Sequence, residues 1–173
     1  MKPELKIFLA CIIFAAGFYS GGVVHPFHEA KPVANAYEVY FCPEDSCSIQ
    51  IIKAIDSAQT SVYVAIYSFT LDSIADALIR AKSRGVDVKV VMEKSQVGKG
   101  SEYERLKNAG IDVRLDKNPD FMHNKFAVID GKIVATGSFN WSLHADTKND
   151  ENLLIIYLKE LARKYEEEFF ELN

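Results

Sequence analysis

His123–Asn140 reads HNKFAVIDGKIVATGSFN, and this stretch decides the fold. Asp130-Gly131 separates two β-prone runs, Phe126–Ile129 and Lys132–Thr136. A two-residue Asp-Gly loop favours a type I′ turn, because both central residues need positive φ. With Ile129 set against Lys132, Lys125 is expected opposite Thr136 and His123 opposite Ser138, with Asn140 just beyond. Side chains alternate along a strand, so His123 and Lys125 share one face, as do Ser138 and Asn140. An imidazole, an ammonium, a hydroxyl and an amide then converge at the open end of one hairpin. Asp130 lies at the other end, roughly 20 Å away along the strand. It is expected to serve the turn and not the cluster.

Upstream, strands and helices alternate. Tyr37–Phe41 reads as a strand, and Ser46–Ala58 as a helix with Ile51, Ile55 and Ala58 on one stripe. Ser61–Tyr67 is rich in β-branched and aromatic residues and reads as a strand. Leu71–Arg84 is a helix with Leu71, Ile74, Ala75, Leu78 and Ile79 on its apolar face, and Gly85 ends it. Val86–Met92 is the next strand. This β-α-β-α-β order implies parallel neighbours covered by helices. Ser101–Ala109 is a short helix and Ile111–Leu115 a strand; Asp116–Met122 is a loop leading into the motif. Downstream, Ala145–Asn152 is a polar run and Leu153–Tyr157 a strand. Leu158–Leu172 is a closing helix whose apolar face carries Leu158, Leu161, Ala162, Tyr165, Phe169 and Leu172.

The loop Glu93–Gly100 reads EKSQVGKG and follows the C-terminal end of a strand, where open α/β sheets place ligands. Lys94 and Lys99, with Gly98 and Gly100, are candidates for contacting a phosphate backbone; a solvated loop is the competing reading. Trp141 either stacks on a base or packs beneath the site. His144 is a further candidate for substrate contact.

The 173 residues suffice for one domain with a proper core, and 49% hydrophobic content excludes a disordered chain. The net charge is −4; residues 37–173 keep 17 basic and 22 acidic side chains, net −5. General basic stickiness for nucleic acid is therefore absent, and an anionic substrate must be held by a local patch. Ile7–Val24 is an uncharged apolar run. As a helix it would be about 27 Å long, close to a bilayer's hydrocarbon thickness. It is read as an uncleaved signal anchor, with a signal peptide cleaved near Ala34-Asn35-Ala36 as the alternative. Lys2 and Lys6 favour an N-terminus inside the cytoplasm. The domain is then outside it, anchored, or secreted or periplasmic if the leader is removed. Residues 25–36 read as a linker, with His25 and His28 as solvated residues. Of three cysteines, Cys11 lies in the apolar run. Cys42 and Cys47 are either a short disulfide or two free thiols, and alone are too few for a structural zinc site. No metal or cofactor is expected.

The spacing His-x-Lys, four residues, Asp, six residues, Gly-Ser-x-Asn resembles the HKD motif of the phospholipase D superfamily. It falls here on His123, Lys125, Asp130, Gly137, Ser138 and Asn140, with Gly131 in the turn. The segments AIDSAQTSVYVAIYSFT, AKSRGVDVKVV, TGSFNWS and TKNDEN extend the likeness to the single-motif, Nuc-type endonuclease branch. The resemblance implies an α/β domain over residues 37–173: a mixed β-sheet flanked by helices on both faces, preceded by an N-terminal hydrophobic helix. It also implies chemistry. A histidine attacks a phosphodiester and forms a covalent phosphohistidine; a second histidine protonates the leaving oxygen and then activates water. Lys125, Ser138 and Asn140 would hold the phosphate oxygens. Glu151 matches an acidic position of the family and is expected to orient His123. With one motif per chain, the second histidine is expected from a homodimer whose two motifs meet at a two-fold axis.

The leading expectation is a metal-independent endonuclease acting on DNA or RNA. A phospholipase D or cardiolipin hydrolase working on anionic phospholipid at a membrane is the alternative enzyme. A non-catalytic phosphate-binding module is the alternative of another class.

Overall fold

A computed structural model describes residues 36–172. The anchor or signal peptide, the linker up to Asn35, Cys11, His25 and His28 all lie outside the described residues. Among the described residues, no helix is long and apolar enough to cross a membrane.

The domain is built on a seven-stranded mixed sheet. Its strands are β1 (Tyr37–Cys42), β2 (Ser61–Ile66), β3 (Asp87–Met92), β4 (Asp112–Leu115), β5 (Lys125–Ile129), β6 (Ile133–Gly137) and β7 (Glu151–Ile156). The helices are α1 (Cys47–Ser57), α2 (Asp72–Ser83), α3 (Tyr103–Asn108), α4 (Leu143–Thr147) and α5 (Lys159–Glu171). The strand order is β1-β7-β6-β5-β2-β3-β4. β2, β3 and β4 run parallel, as the alternating order implies; β5, β6, β7 and β1 add on antiparallel. β1 therefore departs from the simple β-α-β-α-β expectation and pairs with β7 at the far edge. Burial explains the choice. Val62–Ile66 of β2 is buried on both faces and suits a central strand, whereas β1 alternates and leaves Tyr37, Val39 and Phe41 exposed.

Helices cover both faces. On one, α1 and α2 pack over Val62, Val64, Ile66, Val88, Val90, Ala127, Ile129 and Ile155. On the other, Ala162 and Phe169 of α5 pack on Tyr63, Ala65, Phe126, Val128 and Val134, with Phe169 stacked on Tyr63 at 5.3 Å. Leu158 corrects the expected apolar face of α5: it is extended at the N-cap and half exposed, so the buried stripe starts at Leu161. The structure pairs Cys42 with Cys47 in a disulfide between β1 and α1. Beside it, Asp146 of α4 accepts from Ser48 N at 3.0 Å and Ser48 Oγ at 2.7 Å, capping α1 from the far side of the motif.

The β5–β6 turn is type I′ as expected, with Asp130 at φ 54° and Gly131 at φ 59°, and Lys132 N donating to Ile129 O at 3.0 Å. The register differs by one residue. Ile129 pairs with Ile133, Val128 with Val134, Ala127 with Ala135 and Phe126 with Thr136. Lys132 is the extra residue, a bulge just after the turn. Paired with Ile129, as the simple hairpin would have it, Lys132 would point into the face beneath α1 and α2, where Ile129 is fully buried. The bulge keeps it in solvent and puts isoleucine in its place.

Asp130 does more than turn the chain. Its carboxylate accepts from the backbone N–H of Gln59, Thr60 and Ser61 and from Thr60 Oγ1, and its own N–H donates to Ser61 O. The hairpin tip is thereby locked to the start of β2. Burial alone would push the Asp130 carboxyl up, but the N–H groups of Thr60, Ser61 and Gln59 outweigh it and hold it below its ordinary value. A depressed carboxyl stabilises the fold above its unfolded pKa and loses that contribution as pH falls through the folded one. Asp130→Asn is therefore expected to cost about 2 kcal/mol at pH 7. Urea melts of the two proteins should converge as pH drops below the ordinary carboxylate range; a constant difference down to strong acid would contradict this assignment.

Candidate active site

His123 lies outside any strand, two residues before β5 begins. Its placement comes from its neighbours. Met122 N donates to Glu93 Oε2 at 2.9 Å, and Asn124 O accepts from Tyr67 N at 2.9 Å. The His123 ring meets the Tyr67 ring edge to face, with centroids 4.5 Å apart. Tyr67 is held in turn by Gln96 Nε2, which donates to its hydroxyl at 3.1 Å, and by Phe121 at 6.2 Å.

Lys125, the first residue of β5, brings its ammonium to 3.3 Å from both ring nitrogens of His123 and donates to the His123 carbonyl at 2.9 Å. It also lies 5.2 Å from the centre of the Tyr67 ring. Burial pushes the Lys125 ammonium down, and the nearby charge of Glu151 works against that shift. Two of the four expected groups thus touch each other directly.

Ser138 is fixed from β7, not by the hairpin partner. Its N–H donates to Asn152 O, and its Oγ accepts from Asn152 N at 3.0 Å and Asn152 Nδ2 at 3.2 Å. The Ser138 hydroxyl donates to Glu151 Oε2, whose other oxygen accepts from Asn149 Nδ2 at 3.0 Å. Within the chain the Glu151 carboxylate is engaged by Ser138 and Asn149 and makes no bond to His123. Glu151 begins β7 and stands opposite the disulfide residue Cys42 in the ladder.

Gly137 is required by close approach. A Cβ there would collide with the Asn152 carbonyl oxygen and lie 2.9 Å from the Asn152 carbonyl carbon. Beyond it, Phe139 and Trp141 turn inward and are each 2% exposed. Asn140 sits between these two anchors, and its Oδ1 is buried without a hydrogen-bond partner among the described residues. Trp141 packs edge to face on Phe69 at 5.0 Å, while its carbonyl accepts from Thr70 N and Leu71 N. An indole so enclosed cannot stack on a base, so of the two readings of Trp141 the packing one stands.

Lys94 opens a 3₁₀ turn (Lys94–Gln96) and donates to the carbonyl of Asn118, tying two loops together. Lys99 is exposed in the turn closed by Gly98 and Ser101. Neither is bonded to His123, Lys125, Ser138 or Asn140. His144 is exposed on α4, a helix that sequence reading left as part of a polar run. Its one local signal was Ser142, whose Oγ accepts from Ala145 N as an N-cap. Among the described residues, no group of three or more His, Cys, Asp or Glu is arranged to hold a metal ion.

Two residues of the site were missed outright. Tyr67 read only as the end of a strand. Glu93 was passed over for the lysines that follow it, although an acidic residue closing an apolar strand was a usable signal. Glu93 is 0% exposed, and its two oxygens accept from Ser95 N and Met122 N. Burial pushes its carboxyl up, but the Ser95 and Met122 bonds and the charge of Lys94 outweigh that and hold it low.

A family model described as "Cardiolipin synthase, PLD-like domain" matches residues 51–172. The chain belongs to the phospholipase D superfamily. It is 42% identical over 126 residues to a Rickettsia conorii protein named Phospholipase D, covering 72% of this chain and 63% of that relative. It thus spans under two thirds of that relative's length. It is 35% identical over 143 residues to the mitochondrial cardiolipin hydrolase of Xenopus tropicalis, covering 80% of this chain and 68% of that relative. Among solved structures, the phospholipase D family member Nuc from Salmonella typhimurium superposes with a TM-score of 0.75 at 38% identity, covering 79% of this chain and 92% of Nuc. With one HKD motif per chain, the protein sits in the single-motif, Nuc-type branch of the superfamily.

The close approach at Gly137 yields a sharp expectation. Gly137→Ala must push β7 away from Ser138, costing roughly 1–3 kcal/mol and most of any activity. A circular-dichroism melt matching the wild type would show that the Gly137–Asn152 contact is not the constraint described.

Proposed function

We propose that the protein is a metal-independent phosphodiesterase, an endonuclease of DNA or RNA, with His123 as nucleophile. The observation that carries the reading is the His123–Lys125 pair: an exposed imidazole with an ammonium against its ring, at the end of the hairpin from which Ser138 and Asn140 also leave the sheet. In this account an imidazole nitrogen of His123 attacks phosphorus, and the P–O bond to the leaving group breaks. A second histidine gives the leaving oxygen its proton. That same histidine then takes a proton from water, which attacks phosphorus and breaks the P–N bond, releasing His123 and a phosphomonoester. Lys125 offsets charge on the phosphate oxygens, while Asn140 and Ser138 position them, Ser138 by turning its hydroxyl proton from Glu151 to the bound phosphate.

The second histidine is supplied by a second copy of the chain. His144, the remaining histidine of the domain, points to solvent on α4, outside the motif. A homodimer with two motifs facing across a two-fold axis supplies the missing acid. Ile7–Val24 would hold this dimer at a membrane with the domain outside the cytoplasm.

The nucleic-acid substrate is favoured by the resemblance of the segments around the motif to the Nuc-type endonuclease branch, a likeness that the superposition on Nuc extends over 92% of that chain. Hydrolysis of anionic phospholipid is the second reading, favoured by the names of the Rickettsia and Xenopus relatives.

The test is a substrate panel in EDTA: single- and double-stranded DNA, RNA, and vesicles containing cardiolipin. Nucleic acid should be cut, and His123→Ala should lower the rate at least 10³-fold, roughly the loss of nucleophilic and acid–base assistance. Cleavage of lipid alone would overturn the nuclease reading. Hydrolysis of nothing in the panel would favour a phosphate-binding module. Light scattering beside the assay should find activity only in the dimer; a fully active monomer would refute the shared site.

A further inference from the structure

A nucleophile on a segment outside the sheet needs something other than a strand ladder to aim it. Here the segment is pinned on either side of His123 by the ends of two parallel strands. Glu93, directly after β3, takes the N–H of Met122. Tyr67, directly after β2, gives its N–H to Asn124 and lays its ring against the imidazole at 4.5 Å. Of the two anchors, only Glu93 acts through a side chain on the backbone. That side chain has no solvent exposure, and both of its oxygens are used: one on Ser95 N at 2.9 Å, the other on Met122 N at 2.9 Å. A buried carboxylate with both oxygens on main-chain donors is costly unless its geometry is kept, so it resists displacement.

We propose that Glu93 is the positioning residue of His123: by bridging Ser95 N and Met122 N it fixes the backbone from which the imidazole projects onto Tyr67. This rests on His123 being the nucleophile. The bridge makes β3 part of the active-site frame, although β3 contributes no residue to the HKD motif. It also joins the two loops at this end of the sheet, since Lys94 of the same turn donates to Asn118. Glu93→Gln keeps the size of the side chain but replaces one acceptor with an NH₂ that faces a backbone N–H, so one arm of the bridge opens.

The test uses the whole protein and has two independent readouts. By NMR, the His123 ring protons should be displaced from the positions of an exposed histidine by the Tyr67 ring current, with His123→Asn assigning the resonances. Glu93→Gln should move those resonances toward the positions of an exposed histidine. With bis(p-nitrophenyl) phosphate as probe substrate, Glu93→Gln should lower kcat by about 10–100-fold with KM within about twofold, the scale of a small misplacement of a reacting group. A Glu93→Gln protein with wild-type resonances and kcat would overturn the proposal, as would a fall in kcat with the resonances unmoved. If Glu93→Gln does not fold, hydrogen exchange in the wild type decides. The Met122 amide should be protected like those of β3, and exchange at the rate of a free loop would overturn the bridge. Absence of diesterase activity in the wild type would defeat the proposed function but leave the NMR and exchange arms able to judge Glu93.

Discussion

A strand buried on both faces cannot slip. β5 lies between β2 and β6, with Ala127 and Ile129 under α1 and α2 and Phe126 and Val128 under α5. A shift of one residue would exchange these two sets, and every neighbouring strand would have to follow. The register of β5 is therefore the constraint on which the site depends. The Asp130 carboxylate enforces it from one end, binding the hairpin tip to the first residues of β2. The bulge at Lys132 completes it by removing the one charged side chain that would otherwise face the core. Chemistry is confined to the opposite end, where the strands stop and polar groups can leave the sheet.

Much of this was legible in the chain. The Asp-Gly turn, the central strand Ser61–Tyr67 and the two amphipathic helices before Gly85 and after Tyr157 all follow from local patterning, and the structure realises them within a residue or two. The motif was legible as a spacing, and the turn residues Asp130 and Gly131 within it fold as that spacing implies. The remainder depends on contacts between distant segments, which periodicity does not encode. The one-residue bulge follows from burial on the α1–α2 face, not from the turn. β1 reaches the far edge of the sheet because β7, more than a hundred residues later, offers it an open side. Glu151 serves Ser138 because both stand where β6 meets β7, a pairing invisible in a spacing of thirteen residues. Trp141 had two readings in the sequence, stacking on a base or packing beneath the site; its burial on Phe69 is a tertiary fact that selects the second.

The site divides into two halves that are supported separately. His123 and Lys125 rest on the ends of β2 and β3 through Tyr67 and Glu93. Ser138 and Asn140 rest on β7 and on two buried aromatics, Phe139 and Trp141. The sheet brings the halves together, because β5 and β6 are neighbours whose chains leave the hairpin in opposite directions. The site provides one histidine where the proposed two-step displacement uses two, which is why the reading of the mechanism and the reading of the assembly stand together.

The central claim is that His123 becomes covalently attached to phosphorus during turnover. Quenching the reaction with the cleaved substrate in alkaline denaturant, which preserves a P–N bond, and mapping peptides by mass spectrometry without acid steps tests this directly. A phosphoryl adduct is expected on the peptide bearing His123, absent in His123→Ala and accumulating when the second step is slowed. Turnover without an adduct on His123, or an adduct on His144 or Ser138 instead, would contradict it.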